Sequence, residues 1–122
     1  MRILLAVVLV AHGVAHLVGF VVPWKLLTSA EVPYRTTVLA GTFDLGPTGV
    51  RLLGIVWLAL AIAFAVIGGG LLLGASWWYR AALVTVPVSF LLCILGWPDS
   101  RVGVFANGVI LSVLVAGVRR GW

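Results

Sequence analysis

Four long apolar stretches, separated by short gaps that hold almost all of the charge, occupy most of this 122-residue chain. About 20 apolar residues match the hydrocarbon thickness of a bilayer, where every backbone N–H and C=O must find its partner within the protein. A helix meets that demand inside one segment. The pattern therefore predicts an all-α integral membrane protein, a four-transmembrane-helix up-down bundle. Composition agrees, with 63% hydrophobic and 9% charged residues, where a soluble domain carries about 25% charge.

The chain reads as a single transmembrane domain over 1–122, with spans expected at about 3–22, 48–74, 81–97 and 102–118. Pro23, Trp24 and Lys25 close the first span with a helix stop, an interfacial ring and a cation. Pro47 suits the first turn of the second, which is long enough to tilt or to break at Gly68, Gly69 and Gly70. The run Trp77, Trp78, Tyr79, Arg80 reads as an interfacial belt before the third span, and Pro98 to Arg101 as a tight turn. An extramembrane loop, 24–46, is longer than a connection requires, and its Pro33, Tyr34 and Val38 predict that it is ordered against the bundle.

Eight Lys and Arg against three acids give a formal charge of +5. These cations stand at span ends rather than in one tract, which argues against a nucleic-acid partner and for a lipid bilayer. Arg2, Arg80, Arg119 and Arg120 fall on one side, and Lys25, Arg35, Arg51 and Arg101 on the other. The paired terminal arginines favour the first group as cytoplasmic, so the expectation is a multi-pass protein of the cell membrane with both termini cytoplasmic. Arg2, the apolar run from Ile3 and the small residues Gly13 and Ala15 also mimic a secretory signal, but the apolar stretch continues to full spanning length, as a retained helix does. Lone Cys93 excludes an intrachain disulfide.

Within the first span, His12 and His16 stand four residues apart and share a helical face. Ionisable groups at bilayer depth are expensive and face the bundle interior. Three readings stay open: hydrogen bonding that holds helices together, a metal or haem site, and a proton-relay or ligand-contact role. A metal would need a third protein ligand, for which Cys93, the loop acids or a second subunit are the candidates. Haem would need a partner chain, because two histidines of one helix cannot take both axial positions of one iron.

On the third span Thr85, Ser89 and Cys93 form an inward stripe, and Asn107 is an amide in the fourth span within reach of the histidines. The cofactor-binding candidates are therefore His12, His16, Ser89 and Asn107, and the metal candidates His12, His16 and Cys93. Two small-residue stripes, Ala61, Ala65 and Gly69 on the second span and Gly108, Ser112 and Ala116 on the fourth, predict close helix contact. Arg51 reads as a cation that snorkels to the interface, pairs with Asp44, or contacts a headgroup or anion.

The segment LVAHGVAHLVGF, Leu9 to Phe20, resembles the first helix of the DoxX-like small four-helix membrane proteins: His12 and Gly13 match, His16 stands where that family has a lysine, and Gly19 follows. The family's acidic residue near the start of the second helix is absent, with Arg51 in that neighbourhood. The resemblance implies a redox-associated or quinone-linked membrane subunit. From the residues themselves the leading expectation is a non-catalytic accessory or scaffold protein of a larger membrane complex, its polar groups absorbed by packing. The alternatives are a metal-, haem- or quinone-binding module built on His12 and His16, and a homo-oligomeric small transporter or channel.

Overall fold

A computed structural model of the protein describes residues 1–121. Helix α1, Arg2–His16, runs into the single-turn α2, Val18–Val21, and the two form one apolar rod of 20 residues. At their junction the Leu17 N–H donates to the Val14 carbonyl at 3.0 Å, a tightened turn rather than a break. After a connection that holds strands β1 (Thr37–Val38) and β2 (Phe43–Asp44), the chain forms α3 (Gly46–Leu72), α4 (Trp78–Leu95) and α5 (Arg101–Arg119). The chain is 69% helical, and all four rods are long and apolar enough to cross a membrane.

Neighbouring rods run antiparallel. A Cβ added to Gly13 would meet the Phe64 Cβ at 2.8 Å and the Ala61 carbonyl at 2.9 Å, and one added to Gly68 would meet Val10 and the Ala6 carbonyl. Ala6 and Gly13 on α1 thus face Gly68 and Ala61 on α3, at equal spacing and in reverse order. Such small residues let backbones approach, which matters where lipid removes any hydrophobic gain between helices. Tyr79 and Ser89 on α4 bond to Leu114 and Asn107 on α5 in the same reversed sense. At the end nearest the termini, a core of Leu5, Leu9, Phe64, Ile67, Ile110 and Leu114 is closed to solvent.

Several expectations are corrected. α3 is continuous through Gly68 to Gly70, because Gly68 seats Val10 and Gly70 seats the Trp77 ring, so the glycines serve contact rather than a kink. α4 begins at Trp78, three residues before the expected start of the third span, which places Trp78, Tyr79 and Arg80 in its first turn. Of the expected contact stripes only Ala61 meets a neighbouring helix, at Gly13: Ser112, Ala116 and Ala65 are exposed, and a Cβ on Gly108 or Gly69 would meet nothing within 4 Å. Small residues every four positions mark one helical face without saying which face packs.

The connection between α2 and α3 is ordered against the bundle, and it adds a β element to an otherwise all-helical chain. β1 and β2 pair antiparallel, Val38 opposite Phe43. At the hairpin tip Leu39 and Ala40 hold left-handed φ angles of +52° and +54°. That conformation costs a residue with a Cβ about 1–2 kcal/mol. It turns the two N–H groups onto the carbonyls of Leu95 (2.8 Å) and Trp97 (2.9 Å), so the hairpin caps the end of α4, where helix carbonyls lack partners. The Arg35 guanidinium adds an ion pair to Asp99 at 2.8 Å.

Candidate functional site

His12 and His16 project from α1 toward α4 and α5, and both are buried. Their rings meet edge to face at 4.6 Å between centroids, with Phe64 4.9 Å from His12 and Trp57 5.0 Å from His16. Gly13, between them, brings α3 close enough for those aromatic rings to touch the imidazoles.

For neutral rings, the form that burial favours, the fixed partners set the sense of each hydrogen bond in the network. The carbonyl of Gly103 only accepts, so the group 2.9 Å from it is the Asn107 amide nitrogen, as a donor. The Asn107 oxygen is then the atom facing His12, which donates through Nε2–H at 3.1 Å. Likewise the His12 carbonyl accepts from His16 Nδ1–H at 2.8 Å. A neutral His16 therefore accepts at Nε2, from the Ser89 hydroxyl at 2.6 Å. Ser89 in turn accepts from the Asn107 amide at 3.0 Å. With both rings neutral, the chain of bonds closes with the two in opposite tautomers. Cys93 Sγ lies 3.5 Å from the Asn107 amide, at the margin of this network.

The structure thus brings His12, His16, Ser89, Cys93 and Asn107 together. It does not assemble a metal centre: among the described residues no three His, Cys, Asp or Glu side chains converge as ligands. Both His16 nitrogens and His12 Nε2 are already committed to hydrogen bonds, so the expected His12, His16 and Cys93 set does not fit a metal, nor does His16 fit an axial haem ligand. Arg51 stands apart from the cluster. Its guanidinium lies 4.2 Å over the Trp24 ring, whose Nε1–H donates to the Arg51 carbonyl at 2.9 Å. Asp44 does not pair with it and instead accepts from the Gly46 N–H at 2.9 Å.

A cavity of about 660 Å³ opens above the histidines, between the bundle and the hairpin connection. His12, His16 and Cys93 line its inner end, Trp57 and Leu53 its wall, and Glu31, Arg35 and Asp99 its outer part. Sequence reasoning missed Trp57, Phe64 and this charged mouth. Trp57 and Phe64 recur at a seven-residue interval on α3, a spacing that marks one face. Nothing local ties Glu31 or Arg35 to Asp99, 64 residues beyond Arg35.

No protein-family model, no curated protein and no solved structure matches this chain. The site's own chemistry is what its function rests on.

Proposed function

We propose that this is a multi-pass membrane protein, a four-helix transmembrane bundle that binds a small amphiphilic ligand of the quinone class in the cavity above His12 and His16. The carrying observation is the cavity's construction: about 660 Å³, within the roughly 300–1,000 Å³ of small-molecule sites, with an apolar aromatic wall and a buried hydrogen-bonding inner end. A flat ring fits against Trp57, and its polar substituent meets the histidine end.

Two features favour binding over conduction. The core of Leu9, Phe64 and Ile110 closes the bundle on the side of the histidines away from the cavity, and among the described residues no fully buried side-chain nitrogen or oxygen lacks a partner. Four antiparallel crossings put both termini at the end opposite the cavity. With the termini cytoplasmic, the ligand enters from the outer leaflet side, where exposed Arg51 is placed to meet lipid headgroups. A binding module of this size also suits the accessory role in a larger membrane complex.

The test is calorimetric titration of the detergent-solubilised protein with decylbenzoquinone and its reduced form. Saturable binding by at least one form, lost when Leu53→Trp fills the cavity wall, is the expected result. Failure of both forms to bind refutes the proposal.

A further inference from the structure

One ring atom in the network has no partner among the described residues. His12 Nε2 is bound to Asn107, and His12 Nδ1 makes no hydrogen bond. Among the described residues no buried side-chain nitrogen or oxygen lacks a partner, so Nδ1 keeps some access, and the open space that His12 lines is the cavity. Gly103 fixes the Asn107 amide and the amide places a proton on His12 Nε2, so in the neutral ring Nδ1 carries a lone pair and no proton.

We infer that the cavity selects ligands whose polar head donates a hydrogen bond, with His12 Nδ1 as the acceptor. The preferred class is a hydroxyl on an apolar ring, a hydroquinone or phenol, over the carbonyl form of the same molecule. A quinone carbonyl offers only lone pairs, and placed against Nδ1 it would oppose one acceptor to another. The other nitrogens of the pair cannot substitute, since each already faces Asn107, Ser89 or the His12 carbonyl. The selectivity is held from a distance: a backbone carbonyl on α5, through one amide, sets which hydrogen-bonding sense α1 presents to the ligand. Asn107 is in this respect a positioning residue.

This inference rests on the cavity being a ligand site, and the experiment separates the two. Anaerobic titration compares decylhydroquinone, its dimethyl ether and decylbenzoquinone on the wild-type protein. The hydroquinone is expected to bind about five- to tenfold more tightly than either of the others, the range of one net hydrogen bond. Equal binding of all three, or tighter binding of the quinone, overturns the donor selectivity and leaves the ligand site standing. No binding by any of them overturns both. A second reading needs no variant: ¹⁵N-histidine NMR of the unliganded protein should show His12 protonated at Nε2 and bare at Nδ1, with hydroquinone moving the Nδ1 signal. A protonated Nδ1 on His12 overturns the inference irrespective of affinity.

Discussion

His12 donates its Nε2 proton to the side-chain oxygen of Asn107 across 95 residues of sequence, at 3.1 Å between two buried side chains. An isolated hydrogen bond between membrane helices is worth about 0.6 kcal/mol. Asn107 has a larger role, because its amide also serves Ser89 and Gly103. Asn107→Leu leaves the buried His12 Nε2–H without a partner and takes a donor from Ser89, and a buried orphan costs about 1–3 kcal/mol. The variant should lose about 2 kcal/mol or more in reversible unfolding from mixed micelles. A loss near that of a single pair would show that the network is not cooperative.

Gly13 and Gly108 make a paired test of where the helices touch. A side chain at Gly13 runs into the α3 backbone at the Ala61 carbonyl, whereas one at Gly108 enters open space. Gly13→Leu should therefore destabilise the bundle by at least about 1–3 kcal/mol, the usual cost of overpacking. Gly108→Leu should leave the thermal midpoint of the monomer in detergent unchanged. The reverse order of effects would mean that the α1–α3 contact is misassigned.

At the hairpin tip, Ala40 holds φ at +54°. Glycine removes a Cβ penalty of about 1–2 kcal/mol there and adds about 0.5–1 kcal/mol of unfolded-state entropy. Ala40→Gly should accordingly be neutral to stabilising by up to about 1.5 kcal/mol. Amide exchange at residue 40 should stay slow, because its bond to the Trp97 carbonyl is kept.

The ion pair between Arg35 and Asp99 is short at 2.8 Å, yet the arginine side chain is 54% exposed. Exposed pairs contribute about 0–1 kcal/mol. Arg35→Ala should leave global stability within that range and leave the Leu39 and Ala40 amides protected, since the backbone bonds to α4 do not depend on it. Loss of protection at both amides would show that the ion pair, rather than the α4 cap, holds the connection in place.

Hydropathy sufficed to place four helices long and apolar enough to span a bilayer, within two or three residues at most ends, because satisfying backbone groups in an apolar segment is a local matter. The i, i+4 spacing likewise put both imidazoles on one face of α1, and Asn107 stood out as an amide where apolar residues are the rule. Which partner each polar group takes was not local. The choice between Ser89 and Asn107, the tautomers, the outward turn of Gly108 and the seating of Val10 on Gly68 depend on how the rods rotate about their axes. Rotation is set by many contacts at once, and small residues occur on more than one face. The cavity is further from the sequence still, since it exists only because the hairpin tip caps α4 and holds Arg35 beside Asp99. The sequence by itself determined the rods and the polar groups they carry; the tertiary structure decided which face of each rod is inside, and therefore what those groups can bind.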